Sequence, residues 1–332
     1  MTREATRGAW DEALLRMHAN AVRIADDMAT AARELGIRVA TLDDGARLID
    51  AGVEAEGSYE AGRLFSEACL GGLGQVALAP RTLAGAPIRE ARVSVRQPLC
   101  GCMASQYAGW KIRKDRFFAM GSGPARSLAA AEPLFEKYPL RSRAERSVLL
   151  LETSALPTAE VAALVAGRCG LEPRNLTLIA ASTGRAAGVT QIAARSVETA
   201  LHKLMELGFD LTTITAGAGT CPIAPVTADP LEAIGRTNDA ILYGAEVTLW
   251  LRAPDRAIEE VIERVPASAS RDYGRPFRDL FHAHGGDFYR IDPLLFSPAR
   301  VTLVNAPGGS SVSAGRLDEA ILARSFGLAG GS

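Results

Sequence analysis

SVLLLETSALPTAEVAALVAGRCGLEPRNLTLIA, residues 147 to 180, is the stretch that decides the fold class. Ser147–Leu151 is a nearly continuous apolar run, the pattern of a strand covered on both faces. Leu156–Cys169 is helical, with Pro157 near its start and Gly170 as its stop. Leu176–Ala180 is a second short apolar strand. The alternation continues with a helix over Gln191–Leu207 and a strand over Leu211–Ala216, which makes this part of the chain α/β.

Toward the N-terminus, Trp10–Leu35 is helix-patterned, and its acids (Asp11, Glu12, Asp26, Asp27, Glu34) do not suit a leader segment. β-prone runs at Ile37–Ala40 and Arg47–Asp50 bracket Asp43-Asp44-Gly45, a hairpin turn signal. A helix is expected at Tyr59–Leu70, strands at Val76–Leu78 and Ala91–Val95, and a short helix at Met103–Gly109. Asp115–Met120 reads as a strand entering a glycine turn and a helix over Pro124–Tyr138. Toward the C-terminus, Gly244–Leu251 and Arg300–Val304 read as strands, Pro266–Pro276 as turn-rich, and Leu317–Arg324 as a last helix. A chain of 332 residues exceeds the usual single domain. Pro139–Arg146 is the expected boundary, between an N-terminal α/β domain over 1–140 and a C-terminal one over 147–332, with strands free to exchange.

Composition narrows the function. With 37 basic and 38 acidic side chains the net charge is −1, which argues against a nucleic-acid surface spread over the whole protein. The 5 cysteines are odd in number and scattered, and Cys100 and Cys102 stand too close for a zinc knuckle. A metal cage is not expected, and reduced cysteines suit a cytoplasmic protein. No window approaches ~18 uninterrupted apolar residues, so no membrane span is expected.

Three motifs remain. Gly121-Ser-Gly-Pro-Ala-Arg126 lacks the Gly-Lys-Ser/Thr end of a Walker loop, and Arg126 stands where a dinucleotide site needs Gly or Ala. It leaves a strand, a glycine turn and a helix start, either an anion cradle with Arg126 adding charge or a tight turn with no ligand. In the helix after Thr190, Gln191, Arg195, Glu198 and His202 share a polar stripe opposite Val197, Ala200, Leu201, Leu204 and Met205. By periodicity alone such a stripe is a solvated face. Ser182-Thr183-Gly184 and Gly188 precede that helix. Ala216–Val226 (AGAGTCPIAPV) reads as a glycine-rich loop with Thr220 as its hydroxyl, and Gly235–Asp239 (GRTND) as a polar turn. Cys221, with no histidine near it in sequence, reads as a buried thiol, and His282 and His284 as surface residues.

These segments form an ordered series. It includes Gly52-Val-Glu-Ala55, Leu64-Phe-Ser-Glu67, Gly71-Gly-Leu73, Ala108-Gly-Trp110, Phe118–Arg126, Gln191-Ile192 with Arg195 and Val197-Glu-Thr199, Pro222–Val226 and Gly235–Asp239 with Ile241–Gly244. Asp272-Tyr-Gly274, Asp287-Phe-Tyr289, Ile291-Asp-Pro293 and Pro298-Ala-Arg300 follow. From about residue 15 to Leu328 the chain resembles the methenyltetrahydromethanopterin cyclohydrolases. The resemblance implies two α/β domains with a substrate pocket between them and a homotrimer. It implies reversible hydrolysis of N5,N10-methenyltetrahydromethanopterin to the N5-formyl compound, with the pterin as substrate and no metal or other cofactor.

The family's catalytic Arg and Glu, three apart, carry over onto Arg195 and Glu198, with Glu198 as the water-activating base and Arg195 orienting it. Gly121, Ser122, Gly123, Arg126, Gln191, Thr220, Arg236 and Asn238 are the expected substrate-binding residues. Archaeal members often carry a lysine before Ala-Gly-Trp where this chain has Tyr107, so a cation for the pterin's acidic tail is missing there. With its neutral overall charge, the chain suits a methylotrophic bacterium oxidising formaldehyde. The alternatives are a pterin carrier without turnover, an oxidoreductase of the same pathway and, from composition and glycine turns alone, a phosphate-metabolite enzyme.

Overall fold

The computed structural model describes residues 3–285, 290–306 and 308–328. The segment Asp287–Tyr289, part of the resemblance, lies outside them. The chain divides into two compact units, each built from two separate stretches: Met1–Gln75 with Leu99–Gln191, and Val76–Pro98 with everything from Ile192 onward.

The first unit holds β1 (Arg38–Thr41), β2 (Arg47–Gly52), β5 (Trp110–Lys114), β6 (Phe117–Ser122), β7 (Ser147–Glu152) and β8 (Leu176–Ala181), in the order β1-β2-β8-β7-β6-β5. The pairs β2–β8 and β8–β7 are parallel, and the others antiparallel. The deciding stretch behaves as its apolar runs require. Successive side chains of a strand point to opposite faces, so Val148, Leu150, Ile179 and Ala181 pack with Ala25 and Met28 of the helix Arg3–Thr30 and Phe65 of the helix Tyr59–Cys69. Leu149, Leu151, Leu178 and Ala180 pack on the other side with Val161 and Val165 of the crossover helix Ala159–Cys169. That helix stops where Gly170 turns left-handed at φ 67° and caps the carbonyl of Ala166.

The expected division at 140–147 therefore falls inside a unit. β7 is hydrogen-bonded to β6 on one side and β8 on the other. Pro139–Arg146 is an internal connection, and its turn-rich, basic composition reports exposure rather than a domain limit.

The second unit holds β3 (Gly74–Leu83), β4 (Ala86–Val95), β9 (Ile214–Pro222), β10 (Glu246–Leu251), β11 (Arg300–Asn305) and β12 (Ser310–Gly315), in the order β12-β11-β10-β9-β4-β3. Along β10, Val247, Leu249 and Leu251 are buried while Trp250 is exposed, the alternation of a sheet covered on one face. Among the described residues, no helix is long and apolar enough to cross a membrane.

Several local expectations change. The short helix near Met103 is a fully buried π-type helix over Leu99–Gln106. The expected helix Pro124–Tyr138 is two, Ala125–Ala129 and Leu134–Lys137, broken by Ala130 at φ 43° and by Pro133. Most of Ala216–Val226 is no loop: β9 continues to Pro222, whose missing amide costs nothing at the last strand position, and only 223–226 are irregular. Gly235–Asp239 is no turn either. It lies within the helix Pro230–Gly244, started by Asp229, whose carboxylate accepts from the amides of Leu231 and Glu232, and by Pro230 at its first position.

Candidate active site

The expected helix Gln191–Leu207 is interrupted. One helix ends at Ala193, Arg195 adopts φ −88°, ψ 4°, and a new helix spans Ser196–Glu206. Arg195 is thus the residue before a helix start, and its carbonyl accepts from the amide of Thr199 at 2.8 Å. Glu198 sits in the first turn, where the helix dipole favours a carboxylate. Arg195 is 8% exposed and Glu198 6%. This pair is no solvated face, because charged side chains are kept from water only in a built environment.

The helix start is seated on the glycines of β9. A β-carbon at Gly219 would come within 2.5 Å of Ser196 Oγ, and one at Gly217 within 2.7 Å of Val197 Cγ1. The two glycines let the start of the helix lie directly on the sheet through Ser196 and Val197, which fixes the place of the turn that bears Glu198. Thr220, next along β9, projects from the opposite face of that sheet by strand alternation. It does not share a face with the helix bearing Glu198.

Gln191 belongs to the first unit and is 1% exposed. Its Nε2 donates to Glu152 Oε2 at 3.0 Å, and Thr183 Oγ1 donates to Glu152 Oε1 at 2.6 Å. Sequence reasoning did not single out Glu152, because its partners stand 31 and 39 positions away. The helix Ala186–Ala193, which bears Gln191, is held by Gly188, whose β-carbon would sit 1.9 Å from the carbonyl oxygen of Ser182.

Gly121, Ser122, Gly123 and Arg126 form a packed joint. The Gly123 amide donates to the carbonyl of Ser105 at 2.7 Å, and its φ of 97° requires glycine. Ser122 is buried, with Oγ 3.3 Å from Cys69 Sγ. Arg126 is fully buried. Its Nη1 donates to the carbonyls of Met103, Ala104 and Ser105, and its Nε and Nη2 to Glu132 Oε1. Its Cζ lies 5.1 Å from the Tyr107 ring centroid. The guanidinium caps the carbonyl end of the π-type helix and has no face left for a substrate anion. The tight-turn reading, not the anion cradle, describes this motif.

Arg236 and Asn238 are two apart on one helix, about 200° around its axis, so they face different neighbours. Arg236 Nη2 pairs with Glu232 at 2.8 Å and its Nε donates to the Ser325 carbonyl. It lines a cleft of about 310 Å³ with Arg278, Asp279 and Arg324. Asn238 Nδ2 donates to the Ile234 carbonyl of its own helix.

Cys221 is fully buried and burial pushes its thiol up; the same cause pushes Cys100 and Cys169 up to about 12. None of these three is a thiolate nucleophile at neutral pH. His282 is exposed, while His284 is half-buried, with Nε2 3.7 Å from Asp272.

A family model described as Cyclohydrolase (MCH) matches residues 17–326. A methenyltetrahydromethanopterin cyclohydrolase of Xanthobacter autotrophicus is 48% identical over 85% of this chain and 84% of its own. One from Methylobacillus flagellatus is 44% identical over 89% of this chain and 90% of its own. One from Methanospirillum hungatei is 39% identical over 92% and 97%.

Proposed function

The chain belongs to the cyclohydrolase (MCH) family, and from that premise we propose that it hydrolyses N5,N10-methenyltetrahydromethanopterin to N5-formyltetrahydromethanopterin, with Glu198 as the proton-transferring carboxylate. The observation that carries the assignment to Glu198 is its burial, with Arg195, at the first turn of a helix seated on glycines.

The methenyl carbon lies between N5 and N10 in an amidinium cation and is electrophilic as it stands. Water adds to that carbon and loses a proton to Glu198 as the C–O bond forms, giving a neutral carbinolamine. Glu198 returns the proton to N10, the C–N10 bond breaks, and the hydroxyl loses its own proton as the formyl C=O forms on N5. One proton of the water thus ends on N10 and the other is released. Arg195 orients the carboxylate. The residues named need no redox partner for this sequence of steps.

Family membership and bacterial relatives from Xanthobacter and Methylobacillus support a finer reading, which we include in the proposal. The protein acts in the cytoplasm as a homotrimer, in formaldehyde oxidation by a methylotrophic bacterium. Sedimentation of the purified protein checks the trimer. The chemical assignment is checked by following the methenyl absorbance on adding purified protein. Its loss is expected with wild type, and Glu198→Gln should bind the pterin without bleaching it. Binding without bleaching by wild type would make the protein a carrier.

A further inference from the structure

The carboxyl ends of the parallel strands β2, β8 and β7 lie side by side in the first unit. In open α/β sheets this is the edge where ligands bind. The loop after β2 is immobilised by Asp50, whose carboxylate accepts from the amides of Gly52, Val53, Glu54 and Ala55 at 2.7 to 3.0 Å. All of that residue's acceptor capacity is used on its own loop.

Glu152, at the end of β7, differs. It is half-buried, and among the described residues no Lys, Arg or His pairs with it. Its two side-chain hydrogen bonds, from Thr183 and from Gln191, fall one on each oxygen. An ionised carboxylate has about four acceptor positions. One position on each oxygen is therefore left, on a carboxylate held at both oxygens by donors from two other elements. A half-buried anion without a cation is costly, and two neutral donors do not neutralise it. What this arrangement suits is a ligand offering two parallel N–H donors.

The pterin ring has such an edge, its 2-amino group and N3–H. We propose that Glu152 is the residue that recognises the pterin ring, accepting from the 2-amino group and N3–H, with Thr183 and Gln191 as positioning residues that hold its plane. The inference rests on the pterin substrate of the proposed function. It assigns to Gln191 an indirect role through Glu152.

The test compares Kd values for 6-methyltetrahydropterin, which lacks the tail, its 2-desamino analogue, and the full methenyl substrate. Glu198→Gln is the background for the last, so that turnover does not consume it. Adding Glu152→Gln should weaken the full substrate and the tail-less ring by the same factor, roughly ten- to hundredfold, as expected for two hydrogen bonds to a charged acceptor. With Glu152 intact the protein should bind the desamino analogue more weakly than the parent ring, and Glu152→Gln should erase that preference. Glu152→Asp, which keeps the charge, should recover part of the ring affinity. A Kd for Glu152→Gln within twofold of its parent overturns the proposal. So does equal affinity of the wild type for the two rings, a measurement that stands even if the variant fails to fold. If wild type leaves the methenyl substrate unchanged, the proposed function fails, while the ring comparison still decides the role of Glu152.

Discussion

Arg126 donates to one carboxylate oxygen of Glu132 through both Nε and Nη2, at 3.0 and 2.6 Å, while its other terminal nitrogen serves three backbone carbonyls. This pair organises the joint between β6 and the π-type helix. Gly109 completes it, since a β-carbon there would lie 2.2 Å from Glu132 Oε1 and 2.5 Å from Tyr107 Cε1.

Breaking that pair should cost stability rather than substrate affinity. Arg126→Ala leaves Glu132 with an uncompensated charge and three carbonyls without a donor, a loss of about 3–5 kcal/mol. Arg126→Lys should recover little, because one ammonium cannot span both sets of acceptors. Denaturant melts check this. A raised KM at unchanged stability would instead return Arg126 to the binding site.

Arg195→Ala is expected to lower kcat by ten- to a hundredfold and raise KM, because the carboxylate it orients is then misplaced. Steady-state kinetics read both. Unchanged constants would remove Arg195 from the active site.

Gly219→Ala places a methyl 2.5 Å from Ser196 Oγ. Overpacking of this kind costs about 1–3 kcal/mol, but the larger effect should be on kcat, since the displaced element is the helix start bearing Glu198. Comparing turnover with the melting midpoint separates the two. An unchanged kcat would show that the seat of this helix on β9 does not set the position of Glu198.

Stability should fall in mild acid through His18, which is 2% exposed and whose pKa burial lowers from 6.5 to about 4. Ser127 Oγ donates to the Pro124 carbonyl and so must accept from Ser142, which in turn must accept from His18 Nε2–H. His18 Nδ1 then accepts from Ser147. Between pH 6.5 and 4 the unfolded chain takes a proton that the folded one refuses. The contribution is fully present above 6.5 and falls by roughly 3 kcal/mol toward pH 4. His18→Gln should flatten that slope in pH-dependent melts; an unaltered slope would assign it elsewhere.

Asp239 acts with the opposite sign. Burial raises it to about 7, against hydrogen bonds from Ser325 Oγ and the Phe277 amide that favour the charged form. Between about 4 and 7 the folded state holds the extra proton, so its contribution strengthens as pH falls and is lost as pH rises through 7. Asp239→Asn should remove this term and leave the acid loss from His18 steeper. A shallower acid loss would contradict the raised value.

Much of the fold was legible. The apolar run of β7, the Pro157 start and Gly170 stop of the crossover helix, and the Asp43-Asp44-Gly45 hairpin are local signals, and the structure follows them. The helix Pro230–Gly244 was also signalled, by Asp229-Pro230, but the polar run inside it drew the opposite reading. β5 and β12 were missed because edge strands alternate weakly and carry charged or small residues.

By itself, the sequence determined the α/β class, the ordered motifs of the family and the Arg195–Glu198 spacing, because each is written in neighbouring residues. Only the tertiary structure decided which of those polar residues are available for chemistry. Periodicity reports which side chains share a face and not what covers it. Gly217 and Gly219 on β9 seat Val197 and Ser196 at the start of the helix that bears the buried Glu198, while Glu132 and three carbonyls occupy Arg126, and Thr183 and Gln191 turn an isolated Glu152 into an oriented acceptor. Those contacts join residues distant in sequence, and no local pattern encodes them.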